Sequence, residues 1–261
     1  LLDGNSLSYR AFYAMPALQN KSGLYTNSVY GFTLMLERML EDIKPKYALV
    51  AFDKGKQTFR HKTYKDYKGT RDKTPSELVE QFGYVRELLD SYGIKYEEHF
   101  DYEADDIIGS YAKLAEKAGL EVIIISGDKD LTQLASDNIT GVAGIGEKTA
   151  IKLLAEYKTV ENVLDNIDNI SGKKLKERLA EGKEDALLSK ELATIFTEVP
   201  VENKLEDLTF SENRSKKKEL FEKLEFVSFL KKLAENNDVD VDGKEEKELE
   251  LINAHEKTEL S

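Results

Sequence analysis

The chain has 261 residues, enough for one large domain or a core domain with a helical appendix. Hydrophobic residues make up 40% and charged residues 34%, so a core can be buried in a soluble chain, and no run approaches the roughly 20 apolar residues of a membrane span. Cysteine is absent, which excludes disulfides and thiolate zinc sites, and His61, His99 and His255 are scattered, so a catalytic metal would need carboxylate oxygens, the donors that suit Mg²⁺ or Mn²⁺.

The net charge of −12 argues against a nucleic-acid partner when taken alone, but it is unevenly placed. Residues 234–261 hold ten acidic and three basic residues, whereas 54–73 hold eight Lys/Arg and two Asp. A local basic segment matters more to a polyanion than the global sum. The missing cysteines and the absence of a secretory leader lead to the expectation of a cytoplasmic protein. The chain opens on Leu1 without Met, so its true start is expected to lie upstream.

In chain order, Leu1–Leu2 reads as the end of a buried strand with Asp3 just past it. Val29, Phe32, Leu36, Met39, Leu40 and Ile43 recur at helical spacing, and Pro45 ends that helix. Tyr47–Phe52 reads as a strand followed by Asp53, then comes the basic stretch 54–73. Thr74-Pro75-Ser76-Glu77 starts a helix expected to run to about Ser91. Lys95–Glu98 reads as a short strand, Ala104–Lys117 as a helix stopped by Gly119, and Glu121–Ser126 as a strand followed by Gly127-Asp128. Residues 141–233 read as mainly helical.

Strand, loop, helix, strand predicts an α/β fold with a mostly parallel central sheet flanked by helices, and ligands bind beyond the carboxyl ends of such strands. Asp3, Asp53 and Asp128 each fall at that address. With the run Glu103-Ala-Asp105-Asp106 and with Asp130 they make seven carboxylates expected at one sheet edge. Glu103, Asp105 and Asp130 could each be only helix caps, worth about 1 kcal/mol. As a set they would repel one another unless a cation neutralised them, and only Lys129 is an obvious partner within those motifs. Two divalent ions roughly 4 Å apart would answer the repulsion and suit in-line phosphodiester hydrolysis.

Six motifs occur in order: Asp3-Gly-Asn-Ser, Phe52-Asp53-Lys-Gly-Lys-Gln-Thr-Phe-Arg60, Tyr67-Lys68-Gly-Thr-Arg71, Glu103-Ala-Asp-Asp106, Gly127-Asp-Lys-Asp-Leu131 and Gly141-Val-Ala-Gly-Ile-Gly-Glu-Lys-Thr-Ala150. Together, over about residues 1–233, they resemble the 5′-nuclease domains of bacterial DNA polymerases I, within the flap-endonuclease superfamily. The resemblance implies a PIN-like α/β core over 1–135 with a basic arch at about 64–82. It also implies a helical DNA-binding region over 136–233 with a helix–hairpin–helix motif, and an acidic linker or following domain over 234–261. It further implies that Glu103, Asp105, Asp106, Asp128 and Asp130, with Asp3, Asp53 and Asp137, hold or orient two or more Mg²⁺ or Mn²⁺ ions. Lys68 and Arg71 would bind the scissile phosphate, Tyr67 would stack on a base, and Arg10 would contact the same phosphate region. Gly141, Gly144 and Gly146, with Lys148 at the start of the following helix, would hold duplex backbone without reading sequence.

One departure stands out. In the family a sizeable segment separates the Gly-Asp-Lys-Asp-Leu motif from the hairpin; here the Gly-Asp-x-Ser-Asp-Asn motif is represented by Ser136-Asp137-Asn138 alone. Three functions stay in view. The first is a 5′→3′ exonuclease and flap endonuclease acting at 5′ flaps, nicks and 5′ ends, monomeric, with polymerase domains on the same chain. The second is a branched-DNA-binding module without catalysis, and the third a ribonuclease with a similar carboxylate site.

Overall fold

The computed structural model of the chain describes residues 1–55, 58–65, 67–68, 73–126 and 141–235, and they separate into two compact units. The first comprises 1–7, 49–74 and 97–207; the second comprises 8–48, 75–96 and the chain from Leu208 on.

The first unit is built on a sheet of order β1-β2-β3, with β1 at Leu2–Asp3, β2 at Leu49–Asp53 and β3 at Lys95–His99, of which Glu97 onward belongs to this unit. β1 and β2 run parallel, with Leu2 opposite Val50 and Asp3 opposite Ala51. Leu49, Val50, Ala51 and Phe52 are all buried, the continuous apolar run that a parallel strand covered on both faces requires. A parallel bridge from Leu2 to Ile125 extends the sheet beyond β1.

The expected strand 121–126 is reduced to that single bridge, fixed by hydrogen bonds from Ile125 N–H to Leu1 O and from Asp3 N–H to Ile125 O. Its neighbour β1 offers only two residues to pair with, and Ile123 and Ile124 stay exposed.

Helix α1 (Gly4–Ala14) follows Asp3 without a loop. Later in the first unit come α3 (Phe59–Thr63), inside the basic stretch, and α6 (Ala104–Lys117), with the expected bounds. Ile107, Ile108, Tyr111 and Ala115 form the buried face of α6. Beyond the sheet, α7 (Glu147–Tyr157), α8 (Val160–Asp165), α9 (Lys173–Glu181) and α10 (Lys183–Ala193) gather round a small core of Leu153, Val163, Ile170 and Leu179.

In the second unit, α2 (Asn27–Ile43) buries Val29, Phe32 and Leu36, and it ends at Lys44, in left-handed backbone, just before Pro45. The expected helix from Thr74 divides into α4 (Ser76–Val79) and α5 (Gln81–Tyr92). At the division the Gln81 side chain works in both directions: Nε2 donates to Glu77 O in α4 at 2.8 Å, and Oε1 accepts from Ser28 N–H at 2.7 Å and Val29 N–H at 3.2 Å, capping α2. α11 (Arg214–Lys223) packs against α5, with buried Lys217 3.3 Å from Glu37, 3.0 Å from Glu212 and 3.9 Å over the ring of Tyr92. A last helix over 227–235 closes this unit. Among the described residues no helix is long and apolar enough to cross a membrane.

Gly4 lets α1 start directly at the end of β1: a Cβ there would lie 2.3 Å from Cε1 of Phe52, a ring with no exposure. Gly4→Ala is therefore expected to lower unfolding free energy by about 1–3 kcal/mol in urea denaturation, since the buried ring has nowhere to move; wild-type stability would show that the helix start can shift.

Candidate active site

The first unit brings five of the predicted acids to one end of its sheet and sorts them. Asp3 closes β1 opposite Ala51, and β2 runs two residues further to close on Asp53, so both acids lie at the carboxyl end of the sheet. Asp3 is held through both oxygens, Oδ1 accepting from Ser6 N–H at 2.9 Å and Oδ2 from Ser126 Oγ at 3.1 Å. Asp53 accepts from Ala104 N–H at 2.8 Å and donates its own N–H to Asn5 Oδ1 at 3.1 Å. That first bond fastens the N-terminus of α6 to the end of β2.

Helix α6 carries the other three acids. Glu103 is its N-cap in extended backbone, and the Glu103 N–H donates to Asp106 Oδ2 at 3.1 Å, completing a capping box. Asp106 has no exposure, and Arg60 grips it in a fork, Nη1 to Oδ2 at 2.6 Å and Nη2 to Oδ1 at 2.7 Å. Oδ1 also accepts from Phe196 N–H at 2.7 Å. Glu103 takes Lys68 Nζ at 3.0 Å on one oxygen, and Arg60 at 3.3 Å and the Tyr67 hydroxyl at 3.2 Å on the other. Burial opposes the charge of Arg60, but Asp106 and Glu103 raise its pKa still further above the ordinary guanidinium value.

Asp105 differs in kind. Burial, then the nearby charges of Asp3 and Asp53, push its carboxyl up to about 7, against a smaller pull from Lys68. Three carboxylates thus share one electrostatic neighbourhood that Lys68 only partly compensates. Among the described residues no three His, Asp or Glu side chains close into a ready cage. The donor set nonetheless fits a hard divalent cation: Asp3, Asp53 and Asp105 supply only oxygens, and a cation would relieve the repulsion that holds the Asp105 proton.

Arg60 and Lys68, which lie outside the acidic motifs, neutralise Asp106 and Glu103. Both Asp106 oxygens accept from protein donors, Arg60 and the backbone N–H groups of Glu103 and Phe196, so Asp106 supports the helix start. Tyr67, expected to stack on a base, is 3% exposed, with its hydroxyl on Glu103 and its ring edge-on to His61. Lys68 lies beside Glu103 in left-handed backbone at φ 54°, a strain of about 1–2 kcal/mol. Arg71, Asp128, Asp130 and Asp137 lie outside the described residues.

The glycine segment forms the expected hairpin. Ile145 N–H closes a turn on Val142 O at 3.0 Å, Gly141 N–H donates to Ser189 Oγ at 2.9 Å, and Gly146 caps α7. Gly144 has φ 75°, and a Cβ there would lie 2.6 Å from Cζ of Arg178, whose Nη1 donates to Gly144 O at 2.6 Å. Lys148 is exposed on the first turn of α7, and Arg10 is exposed on α1.

Arg60, Asn5 and Ser126 are the supporting residues that sequence reasoning missed; the first two sit inside quoted motifs, but no local pattern reveals their distant partners.

The family described as 5′-3′ exonuclease, N-terminal resolvase-like domain, matches residues 1–165. The chain belongs to the 5′-3′ exonuclease family. That family's C-terminal SAM fold matches residues 121–216, the stretch holding the hairpin and α7 to α10. DNA polymerase I of Bacillus subtilis (strain 168) is 47% identical over the whole chain, which covers 34% of that protein. DNA polymerase I of Geobacillus stearothermophilus is 48% identical over 91% of the chain and 32% of its own length. The chain thus spans about a third of these polymerases.

Among solved structures, the T5 D15 protein co-crystallised with metal ions aligns with a TM-score of 0.61 at 22% identity, covering 75% of this chain and 89% of that one. The catalytic core of Rad2 in complex with DNA substrate aligns at 0.56 and 16% identity, covering 85% and 86%. These two share the fold.

An acid whose pKa is raised by folding keeps its proton in the fold after losing it in the unfolded chain, so metal-free stability falls as pH climbs from the ordinary 3.8 of Asp105 to about 7. In EDTA, Asp105→Asn should therefore exceed the parent in stability by about 4 kcal/mol at about pH 8 and match it near pH 3, as read by urea denaturation. An offset independent of pH would contradict the assignment.

Proposed function

We propose that this chain is a divalent-metal-dependent, structure-specific 5′-nuclease that hydrolyses phosphodiester bonds at 5′ ends, nicks and 5′ flaps of DNA. It would serve primer removal and repair as a monomer in the cytoplasm, with polymerase domains following on the same chain. The observation that carries this reading is the sorting of the acids. Asp106 and Glu103 are paired with Arg60 and Lys68, and Asp3, Asp53 and Asp105 share one electrostatic neighbourhood as a hard-oxygen set in a chain of the 5′-3′ exonuclease family.

Asp3, Asp53 and Asp105, joined by Asp128, Asp130 and Asp137, would hold two Mg²⁺ or Mn²⁺ ions. Such ions supply an activated water and stabilise the charge that develops on the leaving oxygen. The chain's own residues supply the rest. Lys68, already 3.0 Å from Glu103, offers its ammonium to the scissile phosphate, with Arg71 beside it in sequence, and their charge stabilises the transition state. The backbone N–H groups at Gly144 and Gly146, with Lys148 on the first turn of α7, suit the phosphates of duplex DNA irrespective of sequence. Arg10 adds an exposed cation for the backbone. In this reading 1–135 is the nuclease core, with 64–82 the arch for a 5′ single strand; 136–233 binds duplex and 234–261 leads to the next domain.

A 3′-labelled 5′-flap DNA incubated with the chain tests the proposal. Cutting near the flap base with Mg²⁺, and none with EDTA, is expected; binding that survives EDTA with no cutting in Mg²⁺ or Mn²⁺ would point to a non-catalytic branched-DNA module. Lys68→Ala should lower kcat by about 10²–10³-fold, the usual cost of losing one transition-state donor. A kcat within a few-fold of the parent would remove Lys68 from the chemistry.

A further inference from the structure

Arg60 is 3% exposed, and all five of its N–H directions are used. Nε donates to Leu192 O at 2.9 Å, Nη1 to Asp106 Oδ2 at 2.6 Å and Glu103 Oε2 at 3.3 Å, and Nη2 to Asp106 Oδ1 at 2.7 Å and Thr194 O at 2.8 Å. The two carbonyls sit at the C-terminal end of α10 and just past it, so one guanidinium joins α3, the acidic start of α6 and the exit of α10.

The strap after α10 is stitched to α6 beyond Arg60 as well. Phe196 N–H donates to Asp106 Oδ1, Val199 N–H donates to Ser110 Oγ at 3.0 Å, and a Cβ on Gly109 would lie 2.7 Å from Ile195 Cγ2. One turn before Leu192, α10 also reaches the glycine hairpin through Ser189, whose Oγ accepts from Gly141 N–H.

A buried ion pair of this kind adds little net stability over an apolar replacement, because desolvation offsets the attraction; what it fixes is orientation. Glu103, Asp105 and Asp106 lie within a single helical turn, and without a partner any of them could turn toward a cation. We infer that Arg60 is a positioning residue: it commits Asp106 and Glu103 to the protein, leaves Asp105 as the acid of that turn that meets the metal, and locks this choice to the seating of α10. The inference rests on the metal-nuclease reading above. Lysine keeps the charge at this position but cannot reproduce the planar fork.

The test is Mn²⁺ titration by calorimetry, without DNA, on the parent, Arg60→Lys and Asp106→Asn, with folding checked by circular dichroism and flap cleavage measured alongside. For Arg60→Lys, Mn²⁺ affinity is expected to fall by about 10–100-fold, the usual cost of losing a partner that orients metal ligands. The number of ions at saturation should equal the parent's, and kcat should fall with KM for flap DNA unchanged. Should Arg60→Lys not fold, Asp106→Asn, which keeps the shape of the pair, decides: weaker Mn²⁺ binding at unchanged stoichiometry supports the inference. Parent-like Mn²⁺ affinity in a folded Arg60→Lys would overturn it, and so would loss of one ion from the count in Asp106→Asn, which would make Asp106 itself a ligand. A parent that binds no Mn²⁺ would instead overturn the metal reading beneath it.

Discussion

An ionised carboxylate taken out of water costs several kcal/mol unless something compensates it, and the first unit takes five toward the end of one small sheet. The local structure answers that cost in two ways. Asp106 and Glu103 are paid off by Arg60, Lys68 and the Tyr67 hydroxyl, at distances of 2.6–3.3 Å. Asp3 and Asp53 are held by hydrogen bonds, and burial with the charges of those two acids raises the pKa of Asp105.

The positions of the acids follow from the fold. Parallel β1 and β2 point their carboxyl ends the same way, β1 closing on Asp3 opposite Ala51 and β2 on Asp53 two residues further, and the Asp53 carboxylate reaches across to the first N–H of α6. The helix then presents three acids within one turn, and its capping box fixes the turn before any ligand arrives. The glycine hairpin is held by its close approach to Arg178 and by its bond to Ser189 of α10.

Much of this was legible in the sequence where the signal is local. The bounds of α6, the apolar face of α2 stopped before Pro45 and the placing of Asp3 and Asp53 at strand ends all follow from periodicity, caps and adjacency. Helix α1 carries no such signal, since its start rests on the close fit of Gly4 against Phe52, far off in the chain. At the α4–α5 division Gln81 bonds back to Glu77 and also caps a helix more than fifty residues earlier in the chain. The pairing of Arg60 with Asp106 spans 46 residues, and the burial of Tyr67 depends on Glu103, 36 residues on. Spacing rules carry no information at that range, so the sequence shows which acids gather but not which are already spoken for.

The sorting of the acids is tested most directly by a crystal grown with Mn²⁺ and an anomalous difference map. The account predicts a peak within coordination distance of Asp105 and of Asp3 or Asp53, with Asp106 still in the fork of Arg60. A peak on Asp106 with Arg60 displaced, or no peak at this end of the sheet, would contradict it.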